Sequence, residues 1–170
     1  MDLALVDLNA DVVTVLRGAF AVFPEVRITC DDLVAVAHDT IVSPANSAGF
    51  MDGGIDAAYC EAIPNIERLV RDAIALRPEG HLPLGAALIV PVRHARIHHV
   101  IVATTMMSPE AVDAQNAYRA MHAILRTAST HTDRVGTLFC PGLCTGVGRV
   151  EPDAAAHAMA KAYAEHKNRR

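Results

Sequence analysis

A chain of 170 residues with 52% hydrophobic and 20% charged residues and a net charge of -4 has the length and composition of one folded domain, and intrinsic disorder is excluded. Its longest apolar run, Gly85 to Val92, is far short of the roughly 20 residues of a membrane-spanning helix, and the start, with Asp2 and Asp7, lacks the basic region of a secretory leader; a cytoplasmic protein with no membrane partner and with Cys30, Cys60, Cys140 and Cys144 reduced is expected. Positive charge is scattered apart from Lys167, Arg169 and Arg170, Trp is absent and only 4% of residues are aromatic, so neither a phosphate-backbone stripe nor a base-stacking platform is offered and no nucleic-acid partner is expected.

Met1 to Val6 reads as a strand, and Asn9 caps a helix over about residues 10 to 20 in which Val12, Val13, Leu16 and Phe20 share one face. Val26 to Thr29 and Thr40 to Ser43 are short β-branched runs, separated by Asp31-Asp32 and an alanine- and valine-rich stretch. After Gly53-Gly54 a helix starts at Ile55 and is interrupted by Pro64; a second follows to about Leu76 with Ile66, Leu69, Val70 and Ala73 inward. Gly85 to Val92 and His99 to Ala103 are strands joined by a basic, histidine-rich turn. Ser108-Pro109 predicts a helix from Glu110 to about Ala128, with Ser as cap and Pro where its missing N–H is harmless. Val135 to Phe139 is the last strand, and Pro152 opens a final helix with Ala155, Ala158, Met159, Ala162 and Tyr163 as its buried stripe. Strands alternating with helices predict an α/β fold over residues 1–170, a three-layer α/β/α arrangement around a mixed, mostly parallel sheet.

Two segments place glycine where a strand feeds a helix: Asn46 to Asp56, containing Gly49, Gly53 and Gly54, and Pro141 to Gly148. Such turns expose unpaired backbone N–H groups at the positive end of a helix dipole, which holds phosphate without lysine. In open α/β sheets ligands sit beyond the carboxyl ends of strands, and both segments follow predicted strands directly. Neither contains G-x-G-x-x-G or the Walker A lysine, which disfavours a Rossmann dehydrogenase and a P-loop NTPase. The nine histidines supply no triplet with zinc spacing, so neither a metal nor a cofactor is expected.

Asp39-Thr40-Ile41-Val42-Ser43-Pro44-Ala45-Asn46-Ser47, followed by Gly53-Gly54-Ile55-Asp56, resembles the signature of the macro domain family, whose pattern has an acidic residue, a strand ending in Val-Asn-Ala-Ala-Asn and a loop ending in Gly-Gly-Val-Asp. Pro141 to Gly148 resembles the family's second phosphate loop, and the likeness spans roughly residues 26 to 165. The resemblance implies ADP-ribose as ligand. It gives Asp32 (with Asp31 as neighbouring competitor) the adenine amino group, Asn46 the distal ribose, and Gly53, Gly54, Ile55, Thr145, Gly146, Val147 and Gly148 the diphosphate. Asp56 matches an acidic position associated with removal of ADP-ribose from acidic side chains, where a carboxylate orients or activates water. The function implied is binding of ADP-ribose and hydrolysis of mono-ADP-ribosyl protein or O-acetyl-ADP-ribose, with Asp56 and Asn46 as catalytic residues; the alternative is a non-catalytic ADP-ribose-binding module. The chain departs from the pattern at Ser43-Pro44, at Met51 and Asp52, and at Arg149, where many relatives carry an aromatic residue. A rival of another class is a thiol hydrolase using Cys144.

Overall fold

In the computed structural model, which describes residues 1–169, the elements in order are β1 (Asp2–Asp7), α1 (Ala10–Ala19), β2 (Arg27–Cys30), α2 (Leu33–Val36), β3 (Asp39–Ser43), α3 (Gly54–Ala62), α4 (Ile66–Ala75), β4 (Ala87–Pro91), β5 (Ile97–Ala103), α5 (Ala114–Thr130), β6 (Thr137–Cys140) and α6 (Pro152–Lys167). The six strands form one sheet in the order β2-β1-β6-β3-β5-β4. Every neighbouring pair is parallel except β4 with β5. The carboxyl ends of β1, β3, β5 and β6 therefore lie along one edge of the sheet. The expected three-layer α/β/α architecture is the one found.

The strand pattern explains the layers. Along β1, Leu3 and Leu5 pack with α1, α5 and α6, whereas Ala4 and Val6 pack with α3 and α4. The sheet is covered on both faces, which is why its strands read as continuous apolar runs rather than alternating ones. Asp39, in the left-handed region at φ 68, ties the starts of two strands together: its Oδ2 accepts from Gly136 N (2.7 Å) and Thr137 N (2.6 Å).

Helix starts follow their caps. Asn9 accepts from Asp11 N, and Pro152 sits in the first turn of α6. The helix expected from Glu110 begins later, at Ala114, capped by Asp113 through a 2.6 Å bond from Gln115 N. The intervening residues are held elsewhere, since Val112 N donates to Gly148 O at 2.9 Å. A tertiary bond to the second glycine loop has overridden a sound local helix signal. The last strand is also displaced, from Val135–Phe139 to Thr137–Cys140, because Arg134 N and Val135 N both donate to His131 O in a turn that continues α5. The alanine- and valine-rich stretch after Asp32 is helical, as α2.

α3 is anchored by one buried bond. Tyr59, fully buried, donates its hydroxyl to Val42 O at 2.9 Å, fixing the helix against the end of β3. Tyr59→Phe is expected to lower stability by about 1–2 kcal/mol in urea unfolding, since the Val42 carbonyl loses a partner it cannot replace with water.

Candidate functional site

A cavity of about 370 Å³ opens at the carboxyl edge of the sheet, between the loop leading into α3 and the loop after β6. Its walls come mainly from four strand ends and the start of α3: Val6 and Asp7 end β1 and Leu8 and Asn9 follow it, Pro44 follows β3, Thr105 and Met106 follow β5, Pro141, Gly142 and Cys144 to Gly148 follow β6, and Gly53 to Asp56 open α3, with Val12 of α1, Leu33 of α2 and Ala58 of α3 completing them. This is where parallel α/β sheets hold ligands. The two loops nearly meet at the mouth, where a Cβ on Gly53 would lie 3.9 Å from Val147 Cγ2 and where Val147 is 46% exposed.

The first loop is built by β3 and its neighbour. Ala45 N donates to Ala103 O and Thr105 N returns the bond to Ala45 O, both near 3 Å (3.0 and 2.9 Å), so the chain beyond β3 stays paired to the chain beyond β5. Asn46 then closes the turn: its Nδ2 donates to Phe50 O (2.8 Å), and its Oδ1 accepts from Ala48 N (3.1 Å) and Phe50 N (3.3 Å). Asn46 was expected at the ribose, but both ends of its amide are turned back onto the loop. It is buried and does not line the cavity; it shapes the segment that carries Gly53 and Gly54. Gly54 has φ 57, a left-handed conformation in which any other side chain is strained.

In the second loop the crowded glycines are Gly142 and Gly148. A Cβ on Gly148 would meet Cys144 O at 2.7 Å, and one on Gly142 would meet Val12 Cγ1 at 2.7 Å and Asp7 Oδ2 at 2.9 Å. Gly146 is exposed, its φ is not left-handed, and a Cβ there meets nothing within 4 Å. Of the sequence-derived residues, Gly53, Gly54, Ile55, Asp56, Thr145, Gly146, Val147 and Gly148 are brought together around the cavity. Asp32 is not: it is exposed and its Oδ1 caps α2, accepting from Val34 N (2.9 Å) and Ala35 N (3.4 Å). Asp31 in turn accepts from Asp32 N at 2.8 Å, and only the next residue, Leu33, reaches the cavity wall. Arg149 is exposed, with φ 53, and also lies outside the lining.

Sequence reasoning missed the wall supplied by the β1–α1 turn. Asp7 lines the cavity and accepts twice from backbone, from Asn9 N at 2.9 Å and from Gly142 N at 3.1 Å, so it joins the start of α1 to the second loop. The only available signal was an acidic residue and a cap at the end of a predicted strand, which taken alone says no more than a helix start.

Asp56 is the chemically distinctive group. It is 6% exposed, sits in the first turn of α3 and lines the cavity, and its Oδ1 is buried without a hydrogen-bond partner. Burial pushes its carboxyl up to about 7; the nearby Ser43 hydroxyl opposes that rise and the charge of Asp52 adds to it. A carboxyl poised near neutrality can take and return a proton at physiological pH. The thiols have no such poise. Burial pushes Cys144 up to about 12 and Cys140 higher, so neither offers a thiolate for attack. Among the described residues, no group of three or more His, Cys, Asp or Glu is placed to hold a metal ion, and no helix is long and apolar enough to cross a membrane.

Residues 42–159 match the family model described as Macro domain. The chain belongs to the macro domain family. The match begins in β3, so β1, α1, β2 and α2 lie outside it although the first two furnish one side of the cavity of this macro domain. Relatives include an uncharacterized protein of Aquifex aeolicus (strain VF5), 31% identical over 136 residues that make up 79% of this chain and 78% of the relative. An uncharacterized protein of Aeropyrum pernix is 30% identical over 122 residues, 71% of this chain and 61% of its own. Similar solved structures include the macrodomain of Mycobacterium tuberculosis DarG, with a TM-score of 0.68 at 16% identity, covering 79% of this macro domain and 87% of that chain. The Oceanobacillus iheyensis macrodomain with ADP gives 0.67 at 18% identity, over 79% and 72%. Thermosipho africanus DarTG in complex with ADP-ribose gives 0.65 at 13% identity, over 96% and 50%. At these identities the structural likeness is one of fold.

Proposed function

We propose that the protein binds ADP-ribose and hydrolyses ADP-ribose conjugates, mono-ADP-ribosyl protein or O-acetyl-ADP-ribose, in the cytoplasm. The observation that carries this reading is a cavity flanked by two glycine-bearing loops with one buried, unpartnered carboxyl, Asp56, in its wall. Amides of Gly53, Gly54 and Thr145 to Gly148 suit a diphosphate, which overall negative charge would otherwise repel. In a mono-ADP-ribosyl protein the bond from the anomeric carbon of the distal ribose to the side-chain oxygen breaks with that oxygen keeping the electron pair, and water adds at the anomeric carbon through an oxocarbenium-like transition state; in O-acetyl-ADP-ribose water adds instead to the acetyl carbonyl carbon and the ribose oxygen leaves with the electron pair and is protonated. In both, Asp56 takes the proton of the attacking water. The similar structures of the Oceanobacillus iheyensis macrodomain with ADP and of Thermosipho africanus DarTG in complex with ADP-ribose support the ligand class.

Titration calorimetry with free ADP-ribose is expected to give micromolar binding, and no heat and no thermal stabilisation at millimolar ligand would overturn the reading. The two neighbouring aspartates are separated by the same assay. Asp32 lies outside the cavity wall, so Asp32→Ala is expected to cost about 1 kcal/mol of stability through loss of the α2 cap; a further loss of ADP-ribose affinity in that variant, absent from Asp31→Ala, would assign the adenine to Asp32. The binding-module alternative shares every contact except proton transfer, so single-turnover release of ADP-ribose decides between the two.

A further inference from the structure

Among the described residues, Ser43 Oγ and Asp56 Oδ1 are buried polar atoms without a hydrogen-bond partner at the end of the cavity where β3 meets α3. Ser43, at the end of β3, is 0% exposed, and it is one of the positions where the sequence departs from the family pattern. Asp56 is presented to the same strand end by α3, because Tyr59, one turn further along the helix, is bonded to Val42 O, the residue before Ser43. The two orphaned groups therefore belong to elements pinned against each other, Ser43 one residue and Asp56 one helical turn from the pin. A buried hydroxyl needs an acceptor and a buried carboxylate needs a donor, and among the described residues neither atom is hydrogen-bonded to any partner.

We propose that Ser43 is the positioning residue for Asp56: its hydroxyl donates to Oδ1, holds the charged carboxylate in place and leaves the remaining oxygen for the cavity. The electrostatics agree, because the Ser43 hydroxyl is the one neighbour that favours the ionised form, against burial and Asp52. The other ionisable groups around this corner do not compensate. Tyr59 and Cys60 are both shifted upward, first by burial, and are neutral near pH 7; Asp7, Asp32 and Cys140 act on Tyr59, and none of these brings a cation to Asp56. Among the described residues, the Ser43 hydroxyl is the side chain that opposes the rise caused by burial.

The proposal deepens the hydrolase reading and depends on it for its kinetic half alone. The experiment is a pH titration of the Asp56 carboxyl by carbon NMR in the parent, Ser43→Ala, Ser43→Cys and Ser43→Thr, with single-turnover pH profiles alongside. Ser43→Ala is expected to raise the Asp56 pKa by about one unit or more, Ser43→Cys to raise it less, and Ser43→Thr to restore the parental value. The low-pH limb of the rate profile moves by the same amount, giving about a fivefold loss at pH 7 for a one-unit rise and recovery of the plateau at higher pH. A merely structural role would lower the rate at every pH. Unchanged Asp56 titration in folded Ser43→Ala or Ser43→Cys would overturn the proposal. A shifted titration with no turnover by the parent would support the pair while removing the hydrolase reading.

Discussion

Asp56→Asn is expected to make the protein more stable and less active at the same time. Taken as a general base, Asp56 contributes on the order of 100-fold or more to turnover, and the isosteric amide cannot accept the proton. Binding of ADP-ribose should change much less, because the proposed diphosphate contacts are made by backbone amides elsewhere around the cavity, so the loss falls on the transition state. Stability moves the other way. The folded-state pKa, about 7, lies above the ordinary aspartate value of 3.8, so the folded protein holds this proton more tightly than the unfolded chain does. Its contribution to stability is fully present below pH 3.8 and is lost as pH rises through about 7. At pH 8 the parent has the whole burden of a buried charge, roughly 4 kcal/mol as an upper figure from the shift. The asparagine variant has none. Urea unfolding at pH 5, 6, 7 and 8 should show the variant's advantage growing toward neutrality and levelling off above it. An Asp56→Asn protein with parental turnover, or one less stable than the parent at pH 8, would contradict the assignment.

The second large effect is at Gly146. Gly146→Glu is expected to reduce ADP-ribose affinity by at least about 100-fold, near 2.7 kcal/mol, with an unchanged melting temperature. The reason differs from crowding of the backbone. Nothing lies within 4 Å of a Cβ at this position and its φ is unstrained, so the side chain is accepted by the fold; it enters the cavity and brings a carboxylate against the diphosphate. Gly146→Ala should then bind nearly as the parent does, which separates charge from shape. Gly148→Ala is the counterpart. There a Cβ meets Cys144 O at 2.7 Å and Val112 Cγ2 at 3.0 Å, and a loss of about 1–3 kcal/mol in stability is expected before any effect on ligand. Parental affinity in Gly146→Glu would show that the second loop does not approach the ligand.

The parts legible in the sequence are those fixed by short-range chemistry. Alternating strands and amphipathic helices announced the α/β layers, and caps such as Asn9 and Pro152 set helix starts within a residue or two. Where a distant partner intervenes, the reading slips. The Ser108-Pro109 signal is locally sound, yet Val112 is taken by Gly148, so α5 starts four residues after the expected Glu110. The site divides in the same way. Glycine positions and Asp56 could be placed from motif spacing, because the loop and helix start are contiguous in the chain. The inward turn of the Asn46 amide, the freedom at Gly146 and the Asp7 brace depend on who sits opposite, and periodicity carries no record of that.

The seating of β1 between β2 and β6 has a consequence for how the molecule is made. β1 meets β2 early, but its other edge waits for a partner more than a hundred residues downstream, Leu5 facing Cys140. At ribosomal speeds of about 5–20 residues per second that interval lasts on the order of 10–30 s, during which an apolar strand has one edge bare. The cavity draws on both ends of the same interval, from Val6 to Gly148, so a nascent chain has no binding site until β6 has emerged. Ligand competence in this protein is thus acquired last and all at once, and in ribosome-release experiments ADP-ribose capture would report completion of the sheet rather than any earlier compact stage.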